Sequence, residues 1–295
     1  MISYRKRYVK TNISRVGPRR PLFLRFGFWL TILILIVITA TLYLLIFHPT
    51  FQIENILIFG NDRIEKKDLE NLILKNINKR ILAIGGFSQF WEFNSKSIFL
   101  ANSEKIKKQI LKEFPGIEEV EVVKIFNHTI EVKVKERIPA AIFCYLDKSG
   151  AENEENCFFI DKNGVAFEQL FLMPQNMVVI RQSQKIERIT IGKEAVNKNI
   201  MDLVLKLEEN LKKNFQIRPI EAVLASPLRV NIKTSEGWKI YLDTKPKTEE
   251  DSEIEKLMLL LKNEINAEQR KNLRYIDLRP KNKAVICDNK ICGGG

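Results

Sequence analysis

Two residue types that often carry nucleophilic or acid–base catalysis near neutral pH are scarce in this chain: there are two histidines and four cysteines in 295 residues. His48 follows a long apolar run and His128 lies in a predicted hairpin turn, so neither is placed to activate a serine or cysteine nucleophile. The sequence has no GxxxxGK[ST], GxGxxG, HExxH or GxSxG motif. We therefore predict a protein that is not an enzyme, with no catalytic residue, cofactor, metal or small-molecule substrate. Acidic stretches such as EEVEV at 118–122 are typical of solvated strands, but a two-carboxylate cell-wall hydrolase stays an alternative, because sequence does not give distances between carboxylates.

The four cysteines fall into two pairs. Cys144 and Cys157 end and begin two predicted strands around a polar loop of 12 residues, and they would face each other if these strands pair antiparallel. A disulfide closing a loop of that size would stabilise the fold by about 3 kcal/mol in the chain-entropy model. Cys287 and Cys292 are spaced for a second bridge. The alternatives are free buried thiols and a four-cysteine zinc site, which is disfavoured because the two pairs do not both show the short spacing of a zinc knuckle.

Basic residues are concentrated at the N-terminus. Residues 1–25 contain eight Lys or Arg and no Asp or Glu. Although the net charge is +12, the remaining chain is nearly balanced, with 40 basic and 36 acidic residues. This balance argues against a nucleic-acid partner.

An apolar run without charged residues, 26–47, follows the basic tail. As a helix it would be about 33 Å long, enough to cross a hydrocarbon layer of about 30 Å. A signal peptide would have a shorter apolar core and a small-residue cleavage site, and a buried core helix would show a polar face. We therefore predict a single-pass membrane anchor. Because basic clusters stay in the cytoplasm, the tail at 1–25 is expected inside and the domains after His48 outside, where disulfides persist.

Two regions with an α+β pattern follow the anchor. Residues 48–138 give the order strand, helix, helix, strand, strand, which predicts a small sheet covered by two amphipathic helices. Between the helices, residues 78–101 are expected to form a long loop whose aromatic residues pack on a core edge or touch the membrane. Residues 139–295 predict a mixed β-rich domain with two helices packed on a sheet, with short strands at 177–181 and 186–191 and final strands at 274–278 and 283–287.

Several motifs, taken in order, resemble the FtsQ/DivIB family of bacterial cell-division proteins. The stretch FQIENILIFGN, which begins at Phe51, is similar to the first strand of a POTRA module. EFPGIEEVEVVKIFNHTIEVKVKERIPAAIF looks like the end of that module and the family's Glu-Arg-x-Pro junction, here Glu136, Arg137 and Pro139. FFIDKNGVAF, SEGWKIYLD, IEKLMLLLK and RYIDLRPKNKAVI resemble the family's C-terminal domain. The chain departs from the family pattern at Pro280, where relatives often carry an aromatic residue.

The resemblance implies a divisome scaffold, anchored in the cell membrane at the division septum. It would link division proteins of the FtsB/FtsL type to septal peptidoglycan synthesis by β-strand addition at its C-terminal edge strand. The predicted partner-binding residues are Tyr275, Asp277, Leu278, Arg279, Lys283, Ala284, Val285 and Ile286. For Arg279, pairing with a partner carboxylate and pairing within the chain both stay open. A POTRA-containing envelope assembly or secretion component is the other alternative, although no series of barrel strands follows.

Overall fold

A computed structural model describes the backbone of residues 26–82, 92–126, 128–148, 155–226, 228–244, 253–281, 283–289 and 292, with side chains except at 79–82 and 92–94. The described residues divide between two compact units. The first holds those within Met1–Asn55, Asn76–Asn102 and Lys124–Ile130. The second holds those within Ile56–Lys75, Ser103–Val123 and Glu131–Gly295, and therefore most of the strands.

Helices and strands are interspersed along the described residues. The α-helices are α1 (Phe26–Phe47), α2 (Lys66–Ile77), α3 (Ser103–Glu113), α4 (Lys198–Phe215), α5 (Glu253–Asn263) and α6 (Ala267–Arg270). The strands are β1 (Asn55–Phe59), β2 (Lys79–Leu82), β3 (Glu92–Ser95), β4 (Ile117–Ile125), β5 (Thr129–Glu136), β6 (Ala141–Leu146), β7 (Glu155–Ile160), β8 (Ala166–Leu170), β9 (Val179–Gln182), β10 (Pro219–Ser226), β11 (Arg229–Thr234), β12 (Lys239–Asp243), β13 (Leu273–Asp277) and β14 (Val285–Asp288). A single 3-10 turn, Pro49–Phe51, follows α1.

The first unit is built on α1, which has the bounds of the predicted anchor. Its mean hydropathy is 2.8 over the most apolar window, and none of its residues is buried against protein. The hydroxyl groups of Thr31, Thr39 and Thr41 donate to backbone carbonyls three or four residues earlier, so these side chains carry no unpaired donor into lipid. By length and composition α1 is suited to one membrane crossing.

The residues between α2 and α3 differ from the prediction of a loop. Strands β2 and β3 form an antiparallel hairpin in which Lys79 lies opposite Ser95. Each strand has four residues, too few for an alternating pattern to mark it in the sequence. The predicted loop aromatics Phe87, Phe90 and Trp91 lie outside the described residues.

Strands β1, β5 and β4 form a three-stranded sheet in that order. Helices α2 and α3 each bury one apolar face, through residues such as Leu69 and Ile110, so the predicted strand, two helices and two strands are all present, with β2 and β3 added between the helices. Gly60 ends β1 with a φ of 81°, and a Cβ atom there would lie 2.1 Å from the carbonyl oxygen of Val134. The turn and the close approach of β5 together require glycine at this position.

Two charged residues at the end of β5 bind distant parts of the chain. The Glu136 carboxylate accepts hydrogen bonds from the backbone N–H groups of Asp62, Arg63 and Ile64 at 2.9–3.1 Å. Burial alone would raise the pKa of Glu136, but these backbone hydrogen bonds favour the charged form more strongly and the pKa lies below its ordinary value. The carboxylate therefore holds the turn after β1 against the end of β5.

Arg137, the next residue, forms an ion pair with Asp161 in the turn after β7. It also donates from Nε to the carbonyl oxygen of Pro115, at 3.1 Å. Asp161 is 3% exposed and accepts the backbone N–H groups of Asn163 and Val165. The predicted Glu-Arg-x-Pro junction thus joins the small sheet to the first hairpin of the larger one.

The larger sheet has nine described strands in the order β14-β13-β12-β11-β10-β9-β6-β7-β8. Besides β6 with β9, the neighbouring pairs β9 with β10 and β12 with β13 are parallel. A parallel pair needs a crossover connection, and α4 and α5 supply these two crossovers. The predicted β-rich domain with two helices on a sheet is confirmed.

One continuous hydrophobic core lies between the larger sheet and the two crossover helices. Met201, Val204 and Leu207 of α4 and Leu257 of α5 are completely buried in it. Asn197 caps the start of α4 by accepting the N–H of Asn199, and α4 ends at a left-handed residue, Gln216. The helical spacing of these apolar residues explains why the sequence predicts both helices.

Two strand predictions need correction. Residues 186–191 form no strand, and Ile186 makes only an isolated bridge to Asp147. The final strand covers Val285–Asp288 and not 283–287, because the N–H of Lys283 bonds the carbonyl oxygen of Pro280 in a turn. Sequence patterns locate such short strands poorly, since turns and strand ends use the same polar residues.

We predict that Asp161→Asn lowers the free energy of unfolding by about 3 kcal/mol, because the substitution leaves the largely buried Arg137 guanidinium without a counter-charge. Denaturant unfolding of the full chain in detergent micelles, followed by tryptophan fluorescence, measures the change. The matched control is Glu268→Gln, which removes an exposed ion pair with Lys271 and should cost less than about 1 kcal/mol. Equal losses in the two variants would contradict the buried pair.

Candidate partner-binding edge

Strand β14 is the terminal strand of the larger sheet and pairs only with β13 among the described strands. The pairing is antiparallel, with Tyr275 opposite Cys287, Ile276 opposite Ile286 and Asp277 opposite Val285. In such a strand, consecutive residues point their N–H groups alternately toward the sheet and away from it. The outer side of β14 therefore offers backbone donors and acceptors to another strand.

The predicted binding residues are brought together at this edge, but not all of them face outward. Val285 is 47% exposed, and Lys283 is exposed just before the strand. Ala284 and Ile286 are partly buried and pack on the core. Leu278 is completely buried: its side chain supports the sheet from within and is not available for the predicted partner contact.

Tyr275, Asp277 and Arg279 belong to a cluster of aromatic and charged side chains centred on Tyr241 of β12. The rings of Tyr241 and Tyr275 lie 5.1 Å apart. The guanidinium carbons of Arg229 and Arg279 lie 4.9 and 5.7 Å from the centre of the Tyr241 ring. These distances allow cation–π attraction on a surface that continues from the sheet edge.

Arg279 makes the intramolecular ion pair that the sequence left open. Its Nε donates to Oδ1 of Asp277 at 2.8 Å, and Nη2 donates to the other carboxylate oxygen. This side-chain hydrogen bond lowers the pKa of Asp277 and raises the pKa of Arg279. Both residues therefore stay charged around neutral pH, and Arg279 is held in one orientation with about a third of its side chain exposed.

Sequence reasoning missed Arg229 and Tyr241. Each alternates with buried residues, Val230 and Ile240, and this alternation placed both on the face of the sheet away from the core. Their position beside Tyr275 depends on the parallel pairing of β12 with β13, across a helix. No local pattern in the sequence indicates that pairing.

A shallow cavity of about 270 Å³ lies beside the start of β14. It is lined by Lys256, Leu259, Leu260, Asn263, Glu264, Lys283 and Ala284. Leu259 is 59% exposed, although the rest of the helix follows a regular buried face. In the sequence, the sign that α5 borders the site was a leucine on the otherwise polar face of an amphipathic helix, where leucine is unusual.

The four cysteines form two disulfides in the structure. Cys144 and Cys157 are directly opposite each other on β6 and β7, with Cα atoms 4.2 Å apart. Cys287 of β14 is bonded to Cys292, with Cα atoms 5.7 Å apart, and Arg274 donates to the carbonyl oxygen of Cys292 at 2.9 Å. The second bridge ties the chain after β14 back to the edge.

Two further candidates for chemistry, a cysteine cluster and His48, have structural partners. Among the described residues, Cys144, Glu155 and Cys157 lie close enough to share a metal ion, but the two sulfur atoms are bonded to each other. A metal needs the thiolate form of such ligands. His48 caps the short turn after α1 by accepting the N–H of Thr50 at 3.3 Å, a structural role.

We predict that the purified chain has a mass lower than its reduced form by two hydrogens for each bridge. Removing the first bridge by Cys144→Ala with Cys157→Ala should lower the free energy of unfolding by about 3 kcal/mol. Its matched control, Cys287→Ala with Cys292→Ala, opens a shorter loop and should cost about 2 kcal/mol. An intact mass that does not change on reduction would rule out both bridges.

Comparison with known protein families agrees with this architecture. The model of the FtsQ-type POTRA domain matches residues 92–137, which include α3 and the hairpin of β4 and β5. The model of the C-terminal domain of cell division protein FtsQ/DivIB matches residues 151–279, which run through β13 to Arg279 of the edge cluster. No curated protein matches the chain. With one apolar helix before the two matched domains, the chain belongs to the FtsQ/DivIB family of cell-division proteins.

Proposed function

We propose that this chain is a non-enzymatic scaffold of the bacterial divisome that binds division proteins of the FtsB/FtsL type and connects them to septal peptidoglycan synthesis. Membership in the FtsQ/DivIB family supports a scaffold role in cell division and an interaction with division proteins. The observation that supports the proposal is the terminal strand β14, whose outer side pairs with no other strand in the part of the chain that the structure describes.

The proposed contact is β-strand addition along β14. Backbone groups on the outer side of an edge strand give affinity to an incoming strand, and side chains at alternate positions give specificity. The exposed Val285 provides one such side-chain contact. The disulfide of Cys287 supports this role, because it holds the end of the edge in place before the partner arrives.

The basic residues near β14 indicate which side chains the partner strand should carry. Arg279 is partly exposed, and Lys281 and Lys283 are exposed beside it. A guanidinium group has five N–H donors, and Asp277 occupies two of those on Arg279. The orientation that Asp277 imposes leaves donors for a second carboxylate, so we expect acidic side chains on the partner segment.

We also propose the orientation in the membrane. The tail at 1–25 would lie in the cytoplasm, and the proposed domains at 48–138 and 139–295 would lie outside the cell membrane. The eight basic residues of the tail support this arrangement, since Lys and Arg clusters stay on the cytoplasmic side. Two disulfides in the C-terminal region fit an oxidising compartment.

Proline substitutions test the edge. Val285→Pro and Ile286→Pro remove the N–H groups of consecutive residues, so one variant removes a donor that faces outward and the other removes a donor to β13. We expect the variant that lacks the outward-facing N–H to bind the FtsB-type protein of the same organism at least about tenfold more weakly, a loss of about 1.4 kcal/mol. A binding assay with purified proteins measures this change. The controls Val285→Thr and Ile286→Val keep the N–H groups and should bind like the parent chain. If both proline variants bind normally, the site is not at β14.

A charge reversal provides an independent arm of the same binding assay. Arg279→Glu should weaken binding, whereas Lys233→Glu makes the same change of charge at an exposed position of β11 and should not. Because Arg279→Glu also places a carboxylate beside Asp277, near-ultraviolet circular dichroism should confirm that the fold is intact. Arg279→Gln, which adds no repulsion, should show a smaller loss in the same direction.

Location and orientation have their own prediction. A fluorescent protein fused to the N-terminus should concentrate at midcell in dividing cells. A C-terminal reporter that is active only after export should be active, because the second half of the chain is proposed to lie outside the membrane. A uniform envelope signal would contradict the divisome scaffold, and an inactive exported reporter would contradict the orientation alone.

A further inference from the structure

The end of α1 is tied to a segment about 50 residues later in the same compact unit. The last carbonyl groups of a helix have no partner within the helix. Here the carbonyl oxygen of Leu45 accepts the Ser97 hydroxyl at 2.8 Å. The carbonyl oxygen of Ile46 accepts the Ser95 hydroxyl and the Gln52 amide, each at 2.7 Å.

These bonds belong to a larger and mostly buried set. Ser95 and Ser97 are each 1% exposed. The Gln52 amide oxygen accepts the N–H of Lys96 at 2.9 Å, and the N–H of Ile98 bonds the carbonyl oxygen of Phe51 at 2.9 Å. The segment at 95–99 is therefore fixed within hydrogen-bond distance of the last turn of α1, which places it at the membrane boundary if α1 crosses the bilayer.

Three phenylalanine side chains form a cluster at this boundary, named here the aromatic collar: the half-buried Phe51 and the exposed Phe99 and Phe126. The ring of Phe51 lies 5.3 Å from that of Phe99 and 6.0 Å from that of Phe126. Phe99 is 51% exposed and Phe126 is 70% exposed. Such clustered exposure of large apolar rings on one side of a fold marks an interaction surface.

We propose that the aromatic collar inserts into the interfacial layer of the membrane leaflet in which α1 ends. The lipid bilayer is the fitting occupant because Phe51 ends the short turn that directly follows α1, and the apolar surface of α1 is not buried by protein. Aromatic side chains are enriched at that depth of a bilayer. In the first unit beyond α1, the exposed basic residues with described side chains include Lys96 and Lys124, whereas the one such acidic residue is Glu54. This excess of positive charge suits contact with lipid phosphates.

This contact would fix the first unit against the membrane at two places, the helix and the collar. A single helix allows rotation and tilt, whereas a second contact beside it restricts both. The hydrogen-bonded segment at 95–99 transmits that restriction from the collar to the helix end. The inference does not depend on the proposed partner edge, whose residues belong to the second unit.

Spin labels measure the depth of the collar directly. The full chain is reconstituted in lipid nanodiscs, one copy per disc, with a spin label at Phe99→Cys or Phe126→Cys. The native cysteines are bridged, and the parent chain taken through the same labelling reaction measures any background. We expect oxygen to reach both labels and a water-soluble nickel chelate to reach them several-fold less than it reaches a control label at Leu228→Cys, an exposed apolar position of the second unit. Equal nickel access at all three positions would overturn the proposal.

Two further arms separate the lipid from other occupants. The double variant Ser95→Ala with Ser97→Ala removes the hydroxyl hydrogen bonds to the end of α1. Nickel access to the labels at positions 99 and 126 should then rise, while circular dichroism should show that the fold is kept. In discs that hold several copies, exclusion of nickel should equal that in single-copy discs. Exclusion seen only with several copies would show contact between copies of the chain and would overturn the membrane assignment.

Discussion

Buried backbone N–H and C=O groups must find hydrogen-bond partners, and the junctions of this chain are organised around that constraint. Where α1 ends, serine and glutamine side chains satisfy the carbonyl groups of Leu45 and Ile46. Where the turn after β1 exposes three consecutive N–H groups, the single carboxylate of Glu136 accepts all three. A few polar side chains, most of them distant in the sequence from the groups they bind, thus hold the elements together without burying more apolar surface.

One edge of the larger sheet is organised differently. The two crossover helices cover a face of this sheet and leave β14 as a terminal strand, and no described strand pairs with its outer side. An open edge is a liability for aggregation, so it requires protection or a partner. Exposed lysines near the strand, Lys281 and Lys283, are the kind of residue that discourages unspecific pairing at a sheet edge, and the Cys287–Cys292 disulfide holds the end of the strand.

Most elements of the fold were predictable because their patterns are local. The helical spacing of apolar residues gave α2 to α5, and the uninterrupted apolar run gave α1 with its observed bounds. The pairing of β2 with β3 was missed because four-residue strands are too short to show a periodic pattern. For short segments the pattern also gives false strands, as at residues 186–191, where Ile186 makes only an isolated bridge. At the candidate site, the sequence located the terminal strands and Arg279, but not Arg229, Tyr241 or the groove beside α5.

The sequence by itself determined the class of the protein: its composition indicated an anchor, and the resemblance of its ordered motifs to the FtsQ/DivIB family implied a POTRA module and the C-terminal domain, because each signal depends on residues close together in the chain. Tertiary structure alone decided which predicted residues face outward. It buried Leu278 in the core and turned Arg279 onto Asp277 beside the ring of Tyr241. The parallel pairing of β12 with β13 forms across a helix, and a contact between residues so far apart leaves no periodic trace in the sequence.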